Sequence, residues 1–390
     1  MATLKMLQEI AQQPEVLERT INSGLAAAEQ LRRRFADRKP RLVVLAARGT
    51  SDNAAQFGRY LLEIFTGLPV SLAAPSIYTL YNAPLDLKDV LVVAISQSGE
   101  STDTNLVVQR AAAQGAFTLG ITNEASSALA RDVDHLFLVC AGSEVSVAAT
   151  KTYTGQLLMF YLLAHALGAP ISLDELRRLP HHASAALTLY SEIAAHAVRY
   201  RSMEHAVVVA RGLNYANAFE FALKLMETCY VVAERFSDAD FLHGPIAMLE
   251  PSFPVFLFAP SGVTWKGISA LMASLHKIKA QTLVITDLAN RAAVESAACG
   301  ELNHSLCIPV DLASRNRPAD LYTAIPYIIP AQLFAACLAE LKGLDPDRPR
   351  ALNKRRTVFS LDKDLHGGRQ TGSHPRESGH IDTEKSALRS

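Results

Sequence analysis

The chain has 390 residues, of which 49% are hydrophobic, and its 38 basic residues balance its 38 acidic ones. This length accommodates two domains of roughly 100–200 residues each, and the balanced charge argues against nucleic acid or a membrane surface as a partner. Five cysteines are scattered without a CxxC pair, which predicts free thiols in a reducing compartment. The amphipathic start is not a secretory signal and the apolar runs are shorter than a membrane span, so we expect a cytoplasmic protein.

Residues 1–38 predict an N-terminal helical segment, and a series of strand-like runs follows it. The runs RLVVLAA, VSLAA, VLVVAIS, FTLGIT and HLFLVC are separated by helical patterns. This alternation predicts a parallel sheet with helices on both faces. The runs are continuously apolar, as expected of strands that are buried on both faces.

The second half of the chain repeats the first. The segment VVLAARGTSDNAAQFGRYLLE at 43–63 resembles VVVARGLNYANAFEFALKLME at 207–227, a separation of about 163 residues. The Ser-Gly pair at 98–99 returns 163 residues later, and GITN at 120–123 is matched by VITD 164 residues later. We therefore predict two copies of one α/β unit, at 39–172 and 190–344. The Pro-containing polar stretch at 167–187 is the natural boundary.

Two loops of the first copy are rich in hydroxyl side chains. RGTS and SQSGESTDT follow the first and third strand-like runs, whereas the second copy has RGLN and PSGVTWKG at these places. Ligands of open parallel sheets bind at the carboxyl ends of strands, and a helix beginning near Ser101 would direct free N–H groups at an anion. The loops lack the P-loop and dinucleotide motifs. They predict either a cradle for a phosphate monoester or ordinary helix caps.

These loops, together with AGSEVSVAATKTYTGQL at 141–157, resemble the sugar isomerase (SIS) domain family. The paired copies are similar to the double-SIS module of glutamine–fructose-6-phosphate aminotransferases and to stand-alone glucosamine-6-phosphate deaminases. The resemblance implies two flavodoxin-like three-layer domains and a site that holds a sugar phosphate. The implied substrate-binding residues are Arg48, Gly49, Thr50, Ser51, Ser96, Gln97, Ser98, Ser101 and Val147.

Two positions depart from the aminotransferase pattern. Position 149 is alanine where that module usually has serine, so one contact to a sugar hydroxyl is missing. Arg48 stands where the module often has cysteine. An arginine at this place can reach the phosphate or pair with a carboxylate, and the sequence leaves both alternatives open.

Three charged residues of the second copy share one face of a predicted helix. Glu220, Lys224 and Glu227 are spaced four and three apart, which alone is typical of a solvated charged face. The neighbouring residues are apolar, so a carboxylate on this stripe that is partly buried would have a raised pKa suited to general base catalysis. The resemblance implies that Glu227 moves a proton between C1 and C2 of the open-chain sugar, and that Lys224 supports this transfer.

The resemblance implies two further catalytic residues. His243 in LHGP would assist ring opening at the site of a neighbouring subunit, so a homodimer with shared active sites is expected. Lys354, in a C-terminal lysine loop at 345–358, would cover the site and form a Schiff base, although the residues alone favour a basic tail. The polar stretch at 359–390 continues beyond the family pattern and predicts disorder.

The expected reaction converts glucosamine 6-phosphate and water to fructose 6-phosphate and ammonia. We expect release of ammonia because no glutaminase domain with an N-terminal cysteine precedes the copies. No metal-binding set is visible, and the proton transfer needs neither metal nor cofactor. Two alternatives stay open: another isomerase or deglycase acting on an amino-sugar or fructosamine 6-phosphate, and a regulator that binds sugar phosphates without catalysis.

Overall fold

The computed structural model describes residues 4–298, 300–315 and 318–350. Most of the predicted lysine loop, including Lys354, and the predicted disordered tail at 359–390 lie outside the described residues. The predicted N-terminal helical segment contains two helices, α1 (Lys5–Ala11) and α2 (Gln13–Arg34).

The first copy is built on a five-stranded sheet in which every neighbouring pair is parallel. The strand order is β2-β1-β3-β4-β5. Each of the five apolar runs forms one strand: β1 (Leu42–Ala46), β2 (Val70–Leu72), β3 (Val90–Ser96), β4 (Phe117–Thr122) and β5 (His135–Leu138). The helices of this copy are α3 (Thr50–Thr66), α4 (Pro75–Thr79), α5 (Thr102–Ala113), α6 (Ala128–Asp132) and α7 (Lys151–Ala166).

The second copy has a second five-stranded parallel sheet, in the order β10-β9-β8-β6-β7. Its strands are β6 (His205–Ala210), β7 (Val232–Ser237), β8 (Pro254–Phe258), β9 (Gln281–Asp287) and β10 (Asn303–Ile308). Its helices are α10 (Tyr215–Cys229), α11 (Asp238–Leu242), α12 (Trp265–Ile278), α13 (Arg291–Ala297) and α14 (Ala324–Leu341). When the strands of each copy are numbered from one to five along the chain, both sheets have the strand order 2-1-3-4-5. The predicted duplication is therefore confirmed.

The connection between the copies is helical. The stretch predicted as a polar boundary forms α8 (Leu173–Leu187), which contains Pro180, and α9 (Tyr190–Ala197) follows it. Leu176 and Leu179 are buried, and α8 packs against α2 and α14. The apolar side chains of the boundary recur at helical spacing between the polar ones, so they lie on one face of the helix. This face is part of the hydrophobic core.

The two copies pack against each other through equivalent elements. Helix α3 of the first copy contacts α10 of the second, and α7 contacts α14. Helix α14 has the length and composition of a membrane span, and 89% of that window is buried inside the protein. The duplicated helices α7 and α14 therefore lie in the core, and α3 covers one face of α10.

Candidate functional site

The two hydroxyl-rich loops lie side by side at the carboxyl edge of the first sheet. Strands β1 and β3 are neighbours. Ala46, the last residue of β1, is in register with Ala94, two residues before the end of β3, so the loops after both strands begin at the same edge. The strand order reverses between these two strands, which is the position where open α/β sheets bind ligands. Gly49 begins α3 with a φ of +58°, and Gly99 turns the second loop with a φ of +65°.

The hydroxyls shape the second loop. Ser96 Oγ accepts a hydrogen bond from the Gly99 N–H at 3.1 Å, and Ser98 Oγ accepts one from the Glu100 N–H at 3.3 Å. Ser101 caps α5 by accepting from the Thr104 N–H at 3.5 Å, as predicted. A hydroxyl that accepts a hydrogen bond keeps its own hydrogen to donate. The loop is therefore capped and still presents O–H donors.

A cavity of about 220 Å³ brings together residues of both copies. All the predicted substrate-binding residues line it except Gly49, which supplies the turn, and Glu227 reaches it from α10. Ile95 and Thr104 were not predicted as site residues. Thr104 could have been found, because it lies three residues after Ser101, the spacing at which an N-cap side chain bonds the helix. The lining residues are Arg48, Thr50, Ser51, Ile95, Ser96, Gln97, Ser98, Ser101, Thr104, Val147, Ala149 and Glu227.

The charged stripe of α10 is buried rather than solvated. The side chains of Glu220 and Lys224 are 0% exposed and that of Glu227 is 24% exposed. Lys224 Nζ donates to Glu227 Oε2 at 2.6 Å and lies 3.3 Å from Glu220 Oε1. The solvated face expected from spacing alone is wrong, because α3 of the other copy covers this side of α10.

Side chains of the first copy complete this buried network. Thr50 donates to Glu220 Oε1 at 3.2 Å and accepts from Lys224 Nζ at the same distance. Asn53 Nδ2 donates to Glu220 Oε2 at 2.7 Å. The turn that carries the first hydroxyl loop is thus connected to the carboxylates of α10 through Thr50.

The raised pKa predicted for this helix falls on Glu220. Burial raises the pKa of Glu220 to about 7, against the opposing effects of Lys224 and Asn53. Burial disfavours the charge of Lys224, but Glu220 and Glu227 together outweigh it and raise the pKa of this ammonium. Lys224 is therefore charged, and near neutral pH a proton resides on Glu220 for part of the time. Of the two carboxyl groups, the partly exposed Glu227 is the one that faces the cavity.

This network makes the stability of the protein depend on pH. The folded pKa of Glu220, about 7, exceeds its ordinary value of 4.5, so between these values the folded state binds more protons than the unfolded state. The stabilisation from this group is complete below pH 4.5 and is lost as the pH rises towards 7. We expect Glu220→Gln to flatten the pH dependence of the unfolding free energy between pH 5 and 8. The control Glu234→Gln, at an exposed position, should leave it unchanged; equal slopes in all three proteins would contradict the assignment.

His243 does not line the cavity. It follows α11 on an exposed turn, where its N–H donates to the Asp240 carbonyl at 3.2 Å. Gly244 and Pro245 come next, at the start of a short 3₁₀ helix. The role of His243 at the site of a neighbouring subunit stays a prediction.

Arg48 lies at the rim of the cavity and pairs with a carboxylate. Its Nη2 is 2.8 Å from Asp103 Oδ2 in the first turn of α5, with 56% of the arginine side chain exposed. Asp52, in the first turn of α3, is also close enough to be affected: burial raises its pKa and Arg48 partly opposes the rise. Of the two alternatives left open by the sequence, the structure displays the carboxylate pair.

The equivalent edge of the second sheet has different chemistry. Asp320 stands three residues before the N-cap of α14, as Val147 does before that of α7. This aspartate is 1% exposed, its Oδ1 has no hydrogen-bond partner, and burial raises its pKa to about 6. A buried carboxyl group at this position disfavours an anion. Among the described residues, the second copy therefore has a buried carboxyl group where the first copy has Val147.

No group of three or more metal-ligating side chains occurs in the described parts of the chain. Cys140, Cys229, Cys307 and Cys337 are free thiols, and Cys299 lies outside the described residues. Burial raises the pKa of Cys229 to about 12 and that of Cys337 to about 11, so these two thiols are poor nucleophiles.

The fold and the cavity define a duplicated α/β protein with a hydroxyl-lined, carboxylate-bearing site at the carboxyl edge of its first sheet. The family model of the SIS domain matches the chain twice, at residues 35–166 and 200–338. The chain therefore belongs to the SIS domain family, and each matched region contains one of the two sheets.

Known proteins of this family resemble the chain over most of its length. It is 33% identical over 360 residues to glutamine–fructose-6-phosphate aminotransferase (isomerizing) of Pyrococcus horikoshii, covering 90% of this chain and 57% of the relative. The C-terminal domain of the glucosamine-fructose-6-phosphate aminotransferase of Francisella tularensis has a TM-score of 0.79 at 27% identity, covering 89% and 98%. The glucosamine-6-phosphate deaminase of Thermotoga maritima has a TM-score of 0.70 at 22% identity, covering 90% and 98%, a likeness of fold alone.

Proposed function

We propose that this protein is an aldose–ketose isomerase acting on a sugar phosphate, and specifically a deaminase of glucosamine 6-phosphate. The observation that carries the proposal is the shared cavity, in which two hydroxyl loops of the first copy face Glu227 of the second. A phosphate site and a carboxylate base within one cavity are the two components that proton transfer along a phosphorylated sugar requires.

Neutral donors supply most of the contacts to the phosphate. Ser96, Gln97, Ser98 and Ser101 line one side of the cavity, and the N-terminus of α5 lies behind Ser101. Side-chain hydroxyls and the free N–H groups of a first helical turn suit a phosphate monoester. Thr50 and Ser51 line the neighbouring wall, so the phosphate and the rest of the sugar are oriented together.

The proposed chemistry is a proton transfer followed by hydrolysis. The Glu227 carboxylate removes the C2 proton of the open-chain amino aldehyde and returns it to C1. In the same conversion O1 gains a proton and the amino nitrogen on C2 loses one, so that C2 becomes an imine. Water adds to C2 of this imine and ammonia leaves, which gives fructose 6-phosphate. Lys224, whose Nζ lies 2.6 Å from Glu227 Oε2, stabilises this carboxylate.

The proposal includes the residues and assembly that the resemblance implies. His243 would assist ring opening in a partner subunit of a cytoplasmic homodimer, and Lys354 would cover the site. Deamination is chosen over amination because the segment ARGTSDNAA at 47–55, which contains Arg48, resembles the stand-alone deaminases more than the aminotransferase module. The chain spans 57% of the length of the Pyrococcus horikoshii aminotransferase, so the isomerase half of such an enzyme is the second candidate.

A panel assay tests the function. The purified chain is incubated with glucosamine, galactosamine and fructosamine 6-phosphates, and both ammonia and ketose phosphate are measured. We expect both products from glucosamine 6-phosphate in equal amounts. Isomerisation of fructose 6-phosphate without any ammonia release would favour the isomerase half of an aminotransferase. Release from another member of the panel would favour a deglycase, and binding without turnover of any sugar would favour a regulator.

A further inference from the structure

Arg48 and Asp103 form a pair at the mouth of the cavity. Among the described lining residues, Arg48 is the one arginine or lysine. Asp103 keeps 30% of its side chain exposed and belongs to the first turn of α5, the helix that Ser101 caps. The two partners therefore lie beside the hydroxyl-rich loops, Arg48 after β1 and Asp103 after β3.

The carboxylate of Asp103 is the anionic partner of the Arg48 guanidinium. A guanidinium binds carboxylates and phosphates with the same planar set of N–H donors. A phosphate seated between Ser96, Ser98 and Ser101 lies at the same helix N-terminus as Asp103. Phosphate and Asp103 therefore compete for the guanidinium, and the phosphate, with a charge of about −1.5 to −2 near neutral pH, is the stronger partner.

The exposure of the pair permits such an exchange. The Arg48 side chain is 56% exposed, and its contact with Asp103 is a single contact of 2.8 Å at the surface. Exposed pairs of this kind contribute little to stability, so breaking the contact costs little. By contrast, the buried Lys224 is already held between Glu220 and Glu227 and is not free to follow an incoming anion.

We propose that the Arg48–Asp103 pair is a partner-exchange switch. It sets the affinity of the phosphate cradle, formed by Ser96, Ser98 and Ser101, for dianionic phosphate monoesters. When phosphate binds, Arg48 leaves Asp103 and contacts the phosphate oxygens. Asp103 thus weakens phosphate binding through Arg48, and Arg48 selects charged substrates over uncharged sugars. This inference rests on the proposed function only in that the cradle binds phosphate.

Direct binding of inorganic phosphate to the full chain tests the switch. Isothermal titration at fixed ionic strength compares the wild type with Arg48→Gln, Asp103→Asn and the double variant. We expect Arg48→Gln to weaken binding about tenfold or more, as for loss of a hydrogen bond between charged groups. Asp103→Asn should tighten binding about two- to fivefold, in line with the strength of an exposed pair. The double variant should bind as weakly as Arg48→Gln, because Asp103 acts through Arg48.

Matched controls separate the switch from general charge effects. Arg59→Gln removes an exposed arginine from α3, and Asp86→Asn removes an exposed aspartate; neither should change phosphate affinity more than twofold. Thermal melting of every variant verifies folding. Arg48→Lys keeps the charge without the planar fork and should bind with intermediate affinity.

The outcomes distinguish the switch from the proposed function. Wild-type binding that Arg48→Gln leaves unchanged, or that Asp103→Asn weakens, overturns the switch and leaves the isomerase intact. The expected affinities in a protein that converts no amino sugar support the switch and contradict the deaminase. A wild type that binds no phosphate overturns both.

Discussion

Replacing Glu227 with glutamine is expected to lower turnover of glucosamine 6-phosphate by about 10²–10⁴-fold, the usual contribution of a general base. The amide cannot accept the C2 proton, whereas its oxygen can still accept a hydrogen bond from Lys224 Nζ, which lies 2.6 Å from Glu227 in the wild type. The hydroxyl loops are untouched. Affinity for inorganic phosphate should therefore stay within about twofold of wild type.

The measurement is the initial rate of ammonia release, together with a phosphate titration of the same preparation. The matched control is Glu234→Gln, which replaces an exposed glutamate on β7. This variant should retain full activity. Loss of phosphate binding along with turnover would indicate that Glu227 orders the cavity and does not act as a base. Full turnover by Glu227→Gln would contradict the mechanism.

The sheets could be predicted because burial on both faces leaves a strong mark in the sequence. A strand such as β3, in which every residue is buried, must be continuously apolar, and the constant spacing of the second set revealed the duplication. The helical boundary was missed as a packed element. Pro180 and polar side chains suggested a linker. The apolar side chains of α8 are buried only by helices that are distant in the sequence.

The phosphate-binding half of the candidate site followed from topology. Parallel neighbouring strands end at one edge, so the loops after β1 and β3 had to be adjacent. Which residues of the second copy would face them could not be read from spacing. Glu227 lines the same cavity as the hydroxyl loops because α3 and α10 pack directly against each other.

The burial of Glu220 and Lys224 was invisible in the sequence for a related reason. A spacing of three and four residues places side chains on one helix face but does not say what covers that face. Here α3 covers it with Thr50 and Asn53, whose polar groups receive the carboxylate of Glu220. The same limit applied to Arg48, whose pairing with Asp103 depends on two loops 55 residues apart.

Replacing Lys224 with methionine is expected to destabilise the protein by about 3–5 kcal/mol, because it leaves buried carboxylates without their counter-ion. Lys224 is 0% exposed, and no other described cation contacts Glu220. Urea unfolding at pH 8 measures the loss, and Lys277→Met, at an exposed position of α12, should change the unfolding free energy by less than about 0.5 kcal/mol.

The pH dependence of this loss identifies its cause. Without the ammonium, the pKa of Glu220 rises further above its ordinary value, so the variant is stabilised by protonation and its deficit shrinks as the pH falls from 8 to 5.5. Adding Glu220→Gln removes one of the two unpaired carboxylates and should restore a large part of the lost stability at pH 8. The loss of stability could instead be equal at both pH values and not be relieved by Glu220→Gln. That result would show that the methionine packs poorly and that the charge of Lys224 plays no part. The expected result ties the fold to the proposed chemistry, because the ammonium that pairs with the buried Glu220 beside α3 also donates a hydrogen bond to Glu227 at the cavity.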